Sequence, residues 1–477
     1  MKKKIDLFLF LVAACIALVA CSDEKDDIVP VSEPEADYTV MLYGCGGGNL
    51  DASLVYNLSQ AESYGYTPRV QFTAKVKYSA SVQESDEENY GGTRLYTLTE
   101  DGLDGEKVAG QGFRLDDPQN IADFISETVK RLPAKHYVLV LWNHGNEFSI
   151  WDQPVAGSYP EKVAGREAVV DDNTQEEISI FELEEGLKRS GTKIDLLYWD
   201  VCLMNMIENL YQVKDNVSYV LGAAHLTSGL GGNYTQLMHA LDNHPDVLEA
   251  MKEYIPATVT NWNNAEGAYN GKDLTLCDMN YMDEVVQTIK EYIDAFVELH
   301  DDLEPGSQDD FGFDYLTGTS QRNYQDKKYT YYSDGGLLYY FYDNCDGYSY
   351  SSSVDLYSAF NRLGNNMLDG HLSGLATKLR ISMDKMLPVG NCAGVPNYID
   401  RVSVGLLWMD QRHFTRDYSV YELGFTVPVF SQLYSMLKFD QVTGWSRFLK
   451  DNMRKNVGVR ETEDGSYEFY EMKENEE

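Results

Sequence analysis

Two apolar runs of similar form stand out in the pattern of hydrophobic and polar positions. The run at 137–142 is followed by Asn143-His144-Gly145, and the run at 194–199 is followed by Asp200-Val201-Cys202. Short, continuous apolar runs are typical of strands that are covered on both faces of a parallel sheet. Because the carboxyl ends of parallel strands meet at one edge of the sheet, the pattern predicts that His144 and Cys202 lie close together.

The rest of the N-terminal half alternates between strand and helix patterns. Ser179 and Glu182 have the spacing of a capping box at the start of one of the helices. Predicted strands cover 39–43, 69–78, 93–98 and 217–221, and predicted helices cover 50–64, 118–132, 180–189 and 203–213. This alternation predicts an α/β fold with a mostly parallel sheet sandwiched by helices.

The pattern changes after residue 235. Predicted helices at 246–262 and 281–298 flank an apolar segment at 273–278, and tyrosine-rich stretches follow. We therefore expect an α/β core over 38–235 and an additional mixed α/β C-terminal portion over 236–455. The acidic tail, 456–477, is expected to fray because it is terminal and polar.

The N-terminus has the form of an export signal. Three lysines precede an apolar stretch, and Leu18-Val19-Ala20-Cys21 ends it in a way that resembles a bacterial lipobox. Residues 1–21 are thus predicted to be a lipoprotein signal, with Cys21 lipidated and 22–37 serving as an acidic tether. The expected location is the outer membrane of a Gram-negative bacterium, at the cell surface. An ordinary cleaved signal peptide is the alternative.

Charge and cysteine content narrow the class of protein further. The net charge of −37 argues against nucleic-acid binding, which needs a basic face. Beyond the N-terminus no apolar run is long enough to span a bilayer. The five cysteines outside the signal are odd in number and form no CxxC pair, so at least one thiol is unpaired and a structural zinc site is not expected. No cofactor is required by the chemistry below.

The thiol and the imidazole at the two strand ends point to nucleophilic catalysis. A cysteine attacks a carbonyl as the thiolate, which the dipole of a helix starting just after Cys202 would favour. His144 can act as the base and then as the acid, and the backbone N–H groups of Gly145 and Cys202 can form an oxyanion hole. A single cysteine after a strand is usually a buried core residue, and a single histidine usually has a structural role. Because Cys202 and His144 each follow an apolar strand of the same predicted sheet, catalysis is favoured over these structural roles.

These motifs and their flanking blocks resemble the clostripain family of cysteine peptidases, within the clan that also holds caspases, legumain and gingipains. The resemblance covers residues 38–452. It implies a caspase-like fold, a dyad of Cys202 and His144 without a required third acid, and cleavage of proteins or peptides after Arg or Lys. The matching segments are 138–145, Asp200-x-Cys202-Leu203-Met204 with Glu208, 273–278, Gly405, and Phe439 with Thr443, Trp445, Phe448 and Leu449.

By the same resemblance Asp200 matches the acid that lines the pocket for the basic side chain, and a carboxylate there would pair with a guanidinium. The alternative for Asp200 is a helix N-cap. The segment 223–234 departs from the family pattern because it contains no acid, which weakens the case for strict Arg specificity.

His225 in this segment is expected to line the cleft or pack rather than act as the base. Cys45 is expected to be structural.

The long polar loop at 152–177 separates the two catalytic strands, and family members are often zymogens cut in this region. Lys162 and Arg166 are the candidate sites of self-cleavage, although solvated surface charge is an equal alternative. Some relatives use calcium. The acidic loops at 171–172 and 309–314 permit it, but neither has an EF-hand spacing, so the metal site is unknown.

Two other functions fit the same sequence. One is a non-catalytic surface lipoprotein that binds glycan or peptide through its aromatic residues, which include 35 tyrosines. The other is a peptidase of different specificity, cutting after Asn as legumain does, in which Asp200 would lose its role.

Overall fold

The computed structural model describes most of the predicted core and parts of the C-terminal portion. The residues that it describes are 36–47, 49–145, 168–171, 176–224, 227–266, 272–301, 313–314, 319–324, 327–331, 353–357, 359–361, 370–393, 403–405, 418–419, 434–451, 457–461 and 467–471. The signal segment, Cys21, Lys162, Arg166 and His225 lie outside these residues.

Strands and helices alternate along the described chain. The strands are β1 (Ala36–Cys45), β2 (Val70–Lys77), β3 (Thr93–Thr99), β4 (Gly102–Ala109), β5 (Ala134–Trp142), β6 (Ala168–Asp171), β7 (Glu176–Ile178), β8 (Ile194–Asp200), β9 (Val217–Gly222), β10 (Lys272–Asp278), β11 (Phe313–Asp314), β12 (Thr319–Tyr324), β13 (Lys327–Tyr331), β14 (Ser353–Asp355), β15 (Val389–Ala393), β16 (Ser403–Gly405), β17 (Tyr418–Ser419), β18 (Val457–Glu461) and β19 (Tyr467–Glu471). The helices are α1 (Asp51–Tyr64), α2 (Ala80–Ser85), α3 (Glu87–Tyr90), α4 (Pro118–Arg131), α5 (Ile180–Ser190), α6 (Ile207–Val213), α7 (Tyr234–Asn243), α8 (Val247–Glu266), α9 (Met282–Asp301), α10 (Gly370–Met386), α11 (Lys438–Thr443) and α12 (Trp445–Asp451).

One sheet of nine strands organises the fold. Its order is β15-β10-β9-β8-β5-β1-β2-β3-β4, and the five central strands from β9 to β2 are parallel neighbours. The outer strands pair antiparallel. Of these nine strands, β3 and β10 run in the direction opposite to the other seven. The predicted α/β fold with a mostly parallel sheet is confirmed.

Helices cover both faces of the sheet, which explains the unbroken apolar runs. Side chains alternate along each strand, so Leu139 and Leu141 enter the hydrophobic core on one face while Val138 and Val140 enter the core on the other. Apolar residues of α4, α5, α6 and α9 complete the first core. Those of α1, α7 and α8 complete the second core.

The local signals for helix ends are borne out where the sequence is most explicit. Helix α4 begins at Pro118, and Asp117 caps it through a hydrogen bond from Gln119 N–H. Helix α5 begins with a complete capping box: Ser179 Oγ accepts from Glu182 N–H at 3.2 Å, and the Glu182 carboxylate accepts from Ser179 N–H at 2.8 Å.

The C-terminal portion does not build a separate main sheet. Strands β10 and β15, from the expected portion 236–455, pair with β9 and with each other and so extend the central sheet. The tail also differs from the prediction, because β18 and β19 form an antiparallel pair within 456–477. The prediction rested on the acidic composition of the tail. It overlooked two segments in which apolar and polar residues alternate, on either side of Asp464-Gly465, a dipeptide typical of turns.

The first strand starts earlier than the apolar pattern predicts. Ala36 and Asp37, the last two residues of the expected tether 22–37, already belong to β1. Asp37 is buried, and its carboxylate forms ion pairs with Arg69 at 2.7 Å and Lys135 at 2.9 Å. These two cations hold the pKa of Asp37 below its usual value.

Candidate active site

The carboxyl ends of β5 and β8 bring the two candidate catalytic residues to the same edge of the sheet. The strands are parallel neighbours, and Trp142 is the register partner of Asp200. His144 and Cys202 each follow these partners by two residues. The His-Gly and Asp-x-Cys segments therefore lie side by side, as the periodicity predicts.

Gly145 passes directly against the backbone of Cys202. A Cβ atom at Gly145 would lie 2.2 Å from the Cys202 carbonyl oxygen and 3.0 Å from the Cβ of Val201. A larger residue would have to push one of the two segments away, so this close approach requires glycine. The glycine thus lets the chain after His144 pass Cys202 without a clash.

The Cys202 thiol is half-buried and contacts Thr227. The Thr227 N–H donates a hydrogen bond to Cys202 Sγ over 3.3 Å, and Thr227 Oγ1 lies 3.4 Å from the same sulfur. Thr227 belongs to the loop after β9, the strand next to β8. Sequence analysis missed this residue, although the strand-end argument that identified His144 and Cys202 also directs attention to the loop after β9.

His144 is exposed, and its ring contacts a second loop that follows a central strand. His144 Nε2 lies 3.2 Å from Asn49 Oδ1. Asn49 sits in the glycine-rich turn between β1 and α1, and β1 is the neighbour of β5 on the side away from β8. Asn49 was also missed by sequence analysis, and the same strand-end argument could have found it.

The segment after Cys202 is an irregular loop rather than the predicted helix. Leu203 has a φ of 63°, in the left-handed region, and helix α6 begins only at Ile207. Asn205 holds the loop to the end of β9, because its N–H donates to Ala223 O at 3.0 Å and its side-chain amide donates to Gly222 O at 3.2 Å. The prediction of a helix from Leu203 is wrong, because the helix begins four residues later, with Met206 as its N-cap.

Asp200 is buried beneath the loop that follows β9. Its Oδ2 accepts hydrogen bonds from Gly232 N–H at 2.9 Å and from the Tyr234 hydroxyl at 2.8 Å. Its Oδ1 is buried and has no hydrogen-bond partner in the described part of the chain. Burial raises the pKa of Asp200 to about 6, against the opposing effect of the two hydrogen bonds. The alternative that Asp200 caps the next helix is wrong, because Met206 is the N-cap of α6.

The loop 227–233 is fixed along its length by buried polar side chains. The Asn57 amide donates to Leu230 O at 2.9 Å and to Gly232 O at 3.1 Å, while its Oδ1 accepts from the Trp142 indole. Ser228 donates to the Glu266 carboxylate, which also pairs with Lys272. The loop that contacts Cys202 is therefore tied to α1, β5 and α8.

Cys45 lies at the end of β1 in a buried polar cluster. Its thiol contacts Asp171 Oδ1 at 3.9 Å, and Asp171 forms a fully buried ion pair with Lys77. The Lys77 ammonium also donates to Phe113 O at 2.9 Å. These contacts agree with the structural role expected for Cys45. They also attach β6, in the polar loop between β5 and β8, to the core.

Metal-binding features are sparse in the described residues. No group of three or more His, Cys, Asp or Glu side chains there is arranged to hold a metal ion. In the first of the two acidic loops that permit calcium, the Asp171 carboxylate is paired with Lys77. Within the same residues no helix is both long and apolar enough to cross a membrane.

The fold and the strand ends define a class: α/β proteins that carry a thiol and an imidazole at neighbouring ends of a parallel sheet. Comparison of the sequence narrows this class. A sequence model of the clostripain family matches residues 87–376. The chain belongs to the clostripain family.

Individual relatives agree with this placement. The chain is 23% identical to clostripain of Hathewaya histolytica over 251 residues, which are 47% of this chain and 47% of that protein. The match thus spans about half the length of that curated relative.

Solved structures share the fold. One is a secreted C11 cysteine protease from Bacteroides thetaiotaomicron named iotapain, with a TM-score of 0.56, 13% identity, and coverage of 86% of this chain and 99% of that chain. Another is an inactive zymogen C11 protease from Parabacteroides distasonis, with a TM-score of 0.55, 15% identity, and coverage of 86% and 98%.

Proposed function

We propose that this protein is a cysteine endopeptidase in which Cys202 is the nucleophile and His144 is the general base and acid. The observation that carries the proposal is the register of β5 and β8, which places the two residues at equal steps beyond the pair Trp142 and Asp200. The close passage of Gly145 along Cys202 supports it, since the two segments must fit against each other. Family membership supplies the reaction class.

The reaction follows from the chemistry of the two groups. The Cys202 thiol gives its proton to His144, and the sulfur bonds to the carbonyl carbon of the scissile peptide. The developing oxyanion is stabilised by the N–H groups of Gly145 and Cys202. Collapse of this intermediate breaks the C–N bond, the imidazolium protonates the leaving amine, and a thioester remains. Water then gives a proton to His144 and attacks the thioester, which releases the acid and restores the thiol.

Asp200 is the proposed specificity residue for Arg or Lys before the scissile bond. Its Oδ1 is a buried acceptor without a partner in the described chain, and a guanidinium or ammonium would satisfy it. Gly232 N–H and the Tyr234 hydroxyl bond the other oxygen, Oδ2, which leaves Oδ1 for the basic side chain. With a pKa of about 6, the carboxyl is ionised at neutral pH and can pair with a basic side chain.

Export and activation complete the proposal. The N-terminal segment would place the enzyme at the cell surface, anchored in the outer membrane through a lipid on Cys21. Self-cleavage at Lys162 or Arg166 would convert a zymogen to the active form. The secreted relative and the zymogen relative with the same fold support these steps. The anchored Asp171 would keep the downstream side of the cut in place.

The test uses purified protein beginning at Ser22 and its C202A variant. Both are incubated with fluorogenic peptides ending in Arg, Lys, Asn or Asp, with and without calcium, and their chain length is followed by intact mass. We expect cleavage after Arg or Lys that falls by at least about 1,000-fold in the variant, with the internal cut absent from it. Cleavage after Asn would keep the dyad and remove the role of Asp200. No turnover and no internal cut would favour the peptide- or glycan-binding lipoprotein instead.

A further inference from the structure

The sulfur of Cys202 has two polar contacts from one residue. The Thr227 N–H donates to Sγ over 3.3 Å, and the Thr227 hydroxyl oxygen lies 3.4 Å from it. Both distances are within the range of hydrogen bonds to sulfur, which are longer than those to oxygen because the atom is larger. A thiolate can accept both hydrogen bonds, whereas a thiol has less to gain from them because it carries no charge.

Such donors can stabilise the thiolate where the expected helix does not start directly after Cys202. Helix α6 starts at Ile207, after the irregular segment with Leu203 in the left-handed region. Asp200, the nearest carboxyl in the sequence, accepts hydrogen bonds from Gly232 and Tyr234. Thr227 therefore supplies, from the neighbouring strand end, polar hydrogens that a helix N-terminus would otherwise supply.

The position of Thr227 is determined by the residues that follow it. Ser228 is buried, donates to the Glu266 carboxylate and accepts from Leu230 N–H at 3.1 Å. Ser53 on α1 donates to Gly229 O at 2.7 Å. Donors held in place before the reaction need no reorganisation when the charge forms, which is why fixed donors are effective in catalysis.

We propose that Thr227 is a third catalytic residue, which stabilises the Cys202 thiolate through its backbone N–H and its hydroxyl. This role rests on the proposed function of Cys202 as a nucleophile and adds a residue that the dyad does not contain. His144 takes the proton, and Thr227 stabilises the negative charge that remains on sulfur. The loop after β9 thereby takes part in the chemistry as well as in shaping the cleft.

The test compares T227V, which removes the hydroxyl and keeps the branched shape, with T227S, which keeps the hydroxyl. Alkylation of Cys202 by iodoacetamide is followed against pH by mass spectrometry of the peptide that contains it. In T227V we expect the midpoint of the rate profile to move up by about one pH unit, with alkylation about tenfold slower below the midpoint. T227S should retain the profile of the unmodified protein. Should T227V fail to fold, T227A removes the same hydroxyl.

The outcomes separate this proposal from the peptidase itself, because alkylation needs no turnover. A T227V profile that coincides with the unmodified one, or that moves to lower pH, overturns the role of the Thr227 hydroxyl even if peptides are cleaved, because the backbone N–H is present in every variant. Faster alkylation of T227V would instead identify Thr227 as a residue that restrains the thiol. If no variant cleaves peptides, the proposed function fails, while the alkylation profiles still report on the contact between Thr227 and the sulfur.

Discussion

Trp142 and Asp200 are register partners on β5 and β8, and this single relationship sets the relative position of His144 and Cys202. Parallel pairing makes the two chains leave the sheet in the same direction, so residues at equal steps beyond the partners stay side by side. The Trp142 indole donates to Asn57, whose amide donates to Gly232 O, and Asp200 accepts from Gly232 N–H, so both partners are connected to the loop 227–233. The register of β5 and β8 is thereby linked to the position of the loop 227–233.

Gly145 gives the most direct test of the close approach between the two segments. In G145A the added Cβ would lie 2.2 Å from the Cys202 carbonyl oxygen, so the backbone of one of the two segments must move to remove the clash. We expect peptidase activity to fall by at least about 100-fold, because small displacements of a catalytic group are costly. The control is G110A, where a Cβ meets nothing within 4 Å. Equal activity of G145A and G110A would contradict the described packing.

Asn49 is predicted to orient the His144 ring. N49A removes the oxygen that lies 3.2 Å from His144 Nε2. Because the contact is exposed, we expect a moderate fall in kcat, about 5- to 30-fold, with KM little changed. N49D keeps an acceptor oxygen and should retain most of the activity. A change in KM alone would indicate a role in substrate binding instead.

Asp200 predicts a specific dependence of stability on pH. Its pKa is about 6 in the folded protein and near its ordinary value of 3.8 when unfolded, so the folded state favours the protonated form. This contribution to stability is complete below about pH 4 and is lost as the pH rises through about 6. D200N keeps an acceptor for Gly232 and does not ionise. Relative to the unmodified protein it should therefore gain up to about 3 kcal/mol of unfolding free energy between pH 4 and pH 7.

Urea unfolding at several pH values measures this difference. The control is D104N, which removes the same charge from an exposed position on β4. Parallel curves for D200N and the unmodified protein would contradict the burial of Asp200.

The same variant tests the proposed specificity role of Asp200. In D200N, cleavage after Arg and Lys should be lost, while iodoacetamide should still label Cys202.

The buried ion pair of Lys77 and Asp171 is predicted to be important for stability. K77M leaves the Asp171 carboxylate without its cation in the core, which should cost about 3–5 kcal/mol of unfolding free energy. The double variant K77M/D171L removes both charges and should recover most of the loss. Thermal unfolding compares these with K107M, which breaks an exposed pair with Glu87 and should cost no more than about 1 kcal/mol. Similar losses for K77M and K107M would contradict the account.

The position of His144 and Cys202 at one edge of the sheet could be predicted, because it depends on strand periodicity and on the geometry of parallel sheets. His144, Gly145 and Cys202 are marked by the apolar runs that precede them. Thr227 and Asn49 are not marked in this way, because polar loop residues acquire their partners only when the loop conformation is known. The left-handed Leu203 illustrates the same limit. An apolar segment after Cys202 has helical periodicity, and nothing local indicates that the first turn is absent.

The C-terminal strands show a second limit. β10 carries the segment 273–278, but its antiparallel pairing with β9 depends on contacts between residues far apart in sequence. A change in composition after residue 235 was read as a boundary, whereas the sheet continues across it. The burial of Asp200 was also unpredictable, since the sequence shows an acid two residues before Cys202 but not that Gly232 and Tyr234 bond one of its oxygens.

The measurement that tests the central claim most directly is covalent labelling with an irreversible peptide electrophile that ends in Lys or Arg. The protein, C202A and H144A are treated with the reagent, and the modified residue is located by tandem mass spectrometry. We predict a single adduct on Cys202, much slower labelling of H144A, and no adduct on C202A. Adduct formation on Cys45 or Cys277, or equal labelling of the protein and C202A, would contradict the assignment of Cys202 as the nucleophile.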